Sequence, residues 1–216
     1  MKYYGFGIYT GEENMRIDSE ILDNAITNQE KVPIFRLYGW SPRCVSLGRN
    51  QKGDFLTEKI DVVRRLTGGR ALLHDDEITY SFVAPVSAIP NGETVIESYK
   101  YISGILINFF KTLGVSLDFG ENKKVSTHFD YCMLLSTGAD VCYNGQKIIG
   151  SAQYRKNGYL LQHGSILFGY DKEFLEHLFK EEVQGITTVK DILPNLSKEE
   201  FVKKLENFIL NSTNIN

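Results

Sequence analysis

Apolar residues recur along this chain at two spacings, and each spacing predicts its own kind of element. Alternation marks strands in KYYGFGIYT at the start, FRLYGW at 35–40, VVRRL at 62–66 and TYSFVAP at 79–85. Steps of three and four mark helices. Met15, Ile21, Leu22 and Ala25 predict one over 14–29. Ile96, Tyr99, Ile102, Leu106, Phe109, Phe110 and Leu113 form a single stripe that predicts a second over 94–113. Thr94 and Glu97 stand at capping-box spacing before it, and Gly114 is its stop signal. SLGRNQ interrupts the pattern after the 35–40 strand, Pro85 and Pro90 bound a loop, and GENKKVSTHFDY reads as a polar loop.

Two Asn-Gly pairs then punctuate a run of apolar segments. Asn144-Gly145 and Asn157-Gly158 supply the positive φ angles of two-residue hairpin turns, so 139–168 is expected to be an antiparallel meander. Further helices are expected over 172–182 and 197–211. Strands and helices mix without a βαβ rhythm, and the fold class this implies is α+β.

Composition narrows the choice of function more than of fold. A chain of 216 residues suits one domain, taken here as 1–216. A hydrophobic share of 42% excludes disorder, and a net charge of −3 argues against a dedicated nucleic-acid binder. No apolar window is long enough for a bilayer, and no charged start precedes an apolar run, so neither a membrane role nor a signal peptide is expected. Cys44, Cys132 and Cys142 are odd in number and unevenly spaced, which argues against a disulfide framework or zinc ribbon and for a reduced, cytoplasmic setting.

Candidate chemistry concentrates in RRLTGGRALLHDDEITYS, residues 64–81. Gly68 and Gly69 allow a close backbone approach to a ligand. Arg64, Arg65 and Arg70 could pair with phosphate or carboxylate, and His74 could carry a proton or orient a partner. A plain β-turn with solvated charges fits the same residues. Lys147 opens a hairpin strand. With a two-residue turn at Asn144-Gly145, Cys142 stands opposite Lys147, and a nearby ammonium favours thiolate. A buried strand cysteine fits equally, and the three thiols are not ranked by these arguments. His163, beside Gly164 and Ser165, is either functional or a satisfied histidine at a strand bend. Lys123, Lys124, Arg155 and Lys156 read as solvated loop residues.

Together NMRID (14–18), WSPRCVSLGRNQ (40–51), VVRRLTGGRALLHDDEITYS (62–81) and NGQKIIGSAQYRKNGYLLQHGSI (144–166) make the chain similar to the biotin/lipoate protein ligase superfamily. The GGR form at 68–70 and the LQHGSI ending resemble its cysteine-dependent octanoyltransferase branch, which serves lipoate biosynthesis. The resemblance implies a mixed, largely antiparallel sheet with flanking helices. It implies Cys132 as nucleophile, through a thioester intermediate, with Lys147 fifteen positions on as its catalytic partner. It implies an acyl site drawn from Arg65, Thr67, Gly68, Gly69, Arg70, His74, Gly150, Ser151, Ala152 and His163. No metal and no cofactor are implied. The donor would be octanoyl-acyl carrier protein, and the acceptor a lipoyl domain or a glycine-cleavage H-type protein. CMLLSTGAD departs from the branch after the nucleophile, lacking its Phe, Pro-Ser and aromatic, and Leu66 replaces a usual proline. Both departures bear on pocket shape and chain length. The shortness of the chain implies that a C-terminal extension seen in some relatives is absent. Two other functions share these features: an ATP-dependent lipoate ligase and a non-catalytic acyl-carrier binding protein. Lys147, as an exposed turn residue, is expected to contribute within about half a kcal/mol to folding.

Overall fold

The structure is a computed structural model that describes residues 1–53, 59–120 and 140–212. Strand β1 (Lys2–Tyr9) leads into helix α1 (Gly11–Thr27), followed by β2 (Ile34–Trp40), β3 (Cys44–Leu47), β4 (Asp61–Arg64), β5 (Leu72–His74) and β6 (Glu77–Pro85). Helix α2 (Val95–Thr112) then precedes β7 (Asp118–Phe119), β8 (Val141–Tyr143), β9 (Gln146–Lys156) and β10 (Tyr159–Leu167). Three helices close the described chain: α3 (Lys172–Phe179), α4 (Val189–Ile192) and α5 (Lys198–Ser212). The expected α+β class holds.

Seven strands form one sheet in the order β1-β2-β6-β10-β9-β8-β7, with β1 and β2 parallel and the other pairs antiparallel. A small sheet, β4-β3-β5, stands apart. The predicted meander is present. Asn144 and Gly145 have φ of 48° and 77°, and Asn157 and Gly158 have 50° and 78°, so each pair makes the left-handed turn its sequence favours.

Strand alternation divides the large sheet into two unlike faces. Phe35, Leu37, Ile78, Tyr80, Phe82 and Leu160 face α2 and α5 and form the main core. On the opposite face Ile34, Val83 and Leu161 pack against Ile21, Leu22 and Ala25 of α1. Arg36, Tyr38 and Trp40 of β2 and Glu77, Thr79 and Ser81 of β6 also lie on that face, yet β2 is buried throughout and β6 throughout but for Pro85. The small sheet makes its own core with α3 through Val45, Leu73, Leu175 and Leu178.

Local signals set some ends differently from expectation. Helix α1 begins at Gly11 rather than 14, because Thr10 and Glu13 close a reciprocal capping box. At α2 only half a box forms: Thr94 Oγ1 accepts from Glu97 N at 3.3 Å, while the Glu97 carboxylate accepts from Lys100 at 2.9 Å. Helix α3 stops at Phe179, followed by Lys180 in the left-handed region at φ 54°.

The TGG turn is held by close backbone contact. Gly69 has φ 93°, and a side chain at Gly48 would overlap the Gly69 carbonyl. Arg64 donates to the carbonyls of Gly48 and Gln51 at 2.7 and 2.8 Å, tying the same segment down. Gly48→Ala is therefore expected to lower stability by about 1–3 kcal/mol through backbone crowding, measured by urea denaturation; an unchanged midpoint would show that the turn moves aside freely.

Candidate active site

The polar face of the large sheet meets α1 and the small sheet, and there the sequence buries an unusual set of charges. Arg65 leads into the TGG turn, with its guanidinium turned inward. Its Nη1 donates to the Ser46 carbonyl and Oγ at 2.9 and 3.0 Å, and its Nε donates to Thr67 Oγ1 at 3.1 Å. Its Nη2 donates to the carbonyls of Gly68 and Arg70 at 2.9 and 2.7 Å.

Two chains of hydrogen bonds continue from it. Ser46 Oγ lies 2.7 Å from His74 Nε2, and His74 Nδ1 lies 2.7 Å from Glu77 Oε1. The same carboxylate oxygen accepts from Thr79 at 2.6 Å and Ser165 at 2.7 Å, and Trp40 Nε1 donates to Thr79 Oγ1 at 2.7 Å. The Trp40 ring stacks on His74 with centroids 3.7 Å apart. In the second chain Thr67 Oγ1 lies 2.8 Å from His163 Nε2, and His163 Nδ1 lies 3.2 Å from Asp18 Oδ2. Asp18 also accepts from Tyr38 at 2.8 Å and from Arg36 at 2.7 Å, while Arg36 donates to Asn14 Oδ1 at 2.6 Å.

Electrostatics follow from these contacts. Burial is the largest single influence on Asp18 and would raise it. His163, Arg36 and Tyr38 together outweigh burial and hold Asp18 below the usual carboxylate range. Glu77 is likewise raised by burial and brought below its ordinary value by His74, Thr79 and Ser165. Burial pushes His74 down, against the opposing pull of Glu77. The Tyr38 phenol is raised by burial and by Asp18, so it remains a donor.

Between the two chains lies a pocket. Of the residues that sequence reasoning nominated, Arg65, His74, Gly150, Ser151, Ala152 and His163 line it. Thr67 is buried behind His163 and touches it, while Gly68 and Gly69 are exposed at the turn. Arg64 and Arg65, each of which could pair with phosphate or carboxylate, donate to protein oxygens in the bonds described here. Arg70 is half-buried. Arg155 is no solvated loop residue: it lies within β9, one residue before its end, and donates to the carbonyls of Gly92, Glu93 and Thr94. Lys156 is indeed at the surface, paired with Asp23. Cys132, Lys123 and Lys124 lie outside the described residues.

Lys147 requires correction. It pairs with Cys142 across β8 and β9 as the hairpin geometry predicted. It is not an exposed turn residue, however: it is 2% exposed, with Nζ 3.0 Å from the equally buried Asp140. The segment at 185–187 covers it, for Lys147 N donates to the Gly185 carbonyl and Thr187 N donates to the Lys147 carbonyl. Among the thiols, burial and the charges of Glu77 and Asp61 push Cys44 up to about 12, which removes it as a nucleophile near neutral pH. Cys142 is buried.

Sequence reasoning missed Asp18, Arg36, Tyr38, Ser46 and Glu77 as members of the site. The available signal was Asn14 with Asp18, four apart on the inward face of α1, together with the polar positions that alternate through β2 and β6.

The large mixed sheet thus carries a half-open pocket walled by His74 and His163, beside an exposed Gly-Gly turn. The family model of the lipoyl protein ligase A/B catalytic domain matches residues 10–209, and the chain belongs to that family, on its octanoyltransferase branch. Octanoyltransferase LipM of Carboxydothermus hydrogenoformans is 41% identical over 179 residues, covering 80% of this chain and 66% of that protein. Octanoyltransferase LipM of an Exiguobacterium species is 35% identical over 210 residues, covering 88% of this chain and 76% of the relative. The chain thus spans about two thirds to three quarters of the length of these relatives. Lipoate-protein ligase A bound with ATP superposes with a TM-score of 0.75 at 21% identity, covering 99% of this chain and 85% of that one. A bi-partite lipoate protein ligase from Thermoplasma acidophilum, studied with its E2 lipoyl domain, gives 0.70 at 19%, covering 100% and 86%. At such identities the structures speak to fold alone. No helix among the described residues is long and apolar enough to cross a membrane.

Two outcomes are expected. Lys147→Ala leaves Asp140 as a buried carboxylate without its ammonium and lowers stability by about 3–5 kcal/mol; a urea midpoint that barely moves would restore the exposed-turn reading. Stability also falls on acidification. Asp18 and Glu77 ionise more readily in the folded protein, so their contribution is complete above the unfolded carboxylate range and is lost as pH falls through their folded values. His74 resists protonation when folded, so the unfolded chain takes up that proton first, and stability starts to decline as pH drops below the ordinary histidine value of 6.5. Urea midpoints from pH 8 to 4 check this, and a midpoint that rises between pH 7 and 5 contradicts it.

Proposed function

We propose that the protein is an octanoyltransferase of lipoate biosynthesis, working through a thioester on Cys132. The observation that carries this reading is kinship with octanoyltransferase LipM at 35–41% identity across most of the chain. The Cys132 thiolate attacks the carbonyl carbon of octanoyl-acyl carrier protein. The bond to the carrier's sulfur breaks, and that sulfur leaves as a thiolate and takes up a proton. The ε-amine of a lysine on a lipoyl domain or an H-type protein then attacks the enzyme thioester. The bond to Cys132 breaks, and the nitrogen gives up a proton as the amide forms. Lys147 is assigned to the Cys132 thiolate and to the negative charge that develops on the carbonyl oxygen. The pocket beside Gly150, three residues along β9 from Lys147, takes the eight-carbon chain. The reaction belongs to the cytoplasm, where acyl carrier proteins and reduced thiols coexist.

The test is intact mass after mixing with octanoyl-acyl carrier protein without nucleotide. A hydroxylamine-sensitive octanoyl adduct is expected, lost in Cys132→Ala and kept in Cys44→Ala and Cys142→Ala. Loss in Cys142→Ala alone would transfer the role to the thiol that stands opposite Lys147 in the hairpin. Activity confined to free octanoate or lipoate with ATP and magnesium would replace the proposal with an ATP-dependent ligase. No acyl turnover at all would leave an acyl-carrier binding protein.

A further inference from the structure

Both pocket histidines have the same hydrogen-bonding pattern, and one side chain stands behind both. We propose that Arg65 is a positioning residue that acts through Ser46 and Thr67. It holds His74 and His163 in a single tautomer with Nε2 closed, so that neither ring presents an open nitrogen to an aliphatic acyl chain. The tautomers rest on the hydrogen-bond geometry and on the ionised carboxylates of Glu77 and Asp18; the identity of the ligand rests on the octanoyltransferase reading.

The directions follow from what each group can do. A guanidinium only donates, so Ser46 Oγ and Thr67 Oγ1 accept from Arg65 at 3.0 and 3.1 Å. Each hydroxyl has one hydrogen left, and its imidazole partner is 2.7 Å away for Ser46 and 2.8 Å for Thr67. At the far side of each ring an ionised carboxylate only accepts, so Nδ1 of His74 donates to Glu77 and Nδ1 of His163 donates to Asp18. Nδ1 therefore carries a proton in both rings, and each hydroxyl, having accepted from Arg65, keeps its own hydrogen to give to Nε2. The Trp40 ring covers one face of His74. The downward push of burial on His74 works in the same direction.

This has a consequence for specificity. An imidazole with an open lone pair, or an imidazolium, would call for a polar or anionic ligand group in the pocket. Here both nitrogens of each ring are already engaged, although two histidines and an arginine line the cavity. The wall can therefore accept methylene groups. Arg65 cannot be exchanged for lysine, because one ammonium cannot reach both hydroxyls and the turn carbonyls with the fork geometry of a guanidinium.

Long-range ¹H–¹⁵N spectra of the intact, uniformly labelled protein at neutral pH test this, with His74 and His163 assigned from His→Gln variants. Both are expected as the Nδ1–H tautomer. Ser46→Ala should alter the His74 signals and spare His163, Thr67→Val should do the reverse, and Arg65→Gln should alter both. Arg65→Gln should also raise the KM for octanoyl donor tenfold or more with a smaller change in kcat, and Arg65→Lys should not rescue it. An Nε2–H tautomer or an imidazolium in either ring overturns the proposal, and so does an Arg65 variant that disturbs only one histidine. If Arg65→Gln does not fold, the Ser46 and Thr67 variants decide by themselves. Spectra as expected from a protein that transfers no octanoyl group would sustain the closed imidazoles and overturn the octanoyl assignment.

Discussion

The site depends on one cation placed where the chain reverses. Arg65 is a fixed, always-charged fork, and it spans the carbonyls of the TGG turn, the hydroxyl of Ser46 on β3 and the hydroxyl of Thr67. It thereby joins the small sheet to the turn and sets the polarity of everything beyond. Both hydrogen-bond chains start on this pure donor, and they end on carboxylates that only accept, Glu77 and Asp18. The glycines serve the same end: Gly48 and Gly69 let two backbones meet closely enough for the guanidinium to hold both sides.

Burying two carboxylates and two guanidinium groups costs free energy that an apolar core would not. It is offset only where every group finds several partners. Asp18 has Arg36, Tyr38 and His163, and Glu77 has His74, Thr79 and Ser165. Such a lattice stabilises little compared with leucines of the same volume, but it fixes side-chain directions in a way leucines cannot. That rigidity suits the proposed transfer, in which a thioester is held in register with an incoming lysine. Lys147 and Asp140 repeat the device on a smaller scale, covered by the segment at 185–187.

The elements were largely legible because their signals are local. FRLYGW and TYSFVAP alternate as strands do, the Asn-Gly turns require their own φ angles, and the α2 stripe is unbroken. Short elements such as β5 and β7 carry too few residues for any period to show. Alternation tells which residues share a face and nothing about what covers it. Arg36, Thr79 and Ser81 sit at positions that read as a solvent face, yet α1 and the small sheet bury them. Glu77 is hidden in the same way: it follows Asp75 and Asp76 in an acidic run, but it starts β6 and turns inward. Lys147 was misjudged because its cover arrives from forty residues further along the chain. For His74 and His163 the resemblance to a family supplied the site, and only the structure supplied their partners. Cys132 rests on resemblance throughout.

The central claim is that a pocket rich in polar side chains receives an aliphatic chain because Arg65 has closed those side chains upon one another. A crystal structure of the octanoyl-loaded protein tests it most directly. The account predicts the octanoyl chain between the Trp40–His74 stack and His163, its carbonyl toward Lys147, with Ser46 and Thr67 still in contact with the two Nε2 atoms. An acyl chain seated elsewhere, or a ring nitrogen turned from its hydroxyl to the ligand, would contradict it.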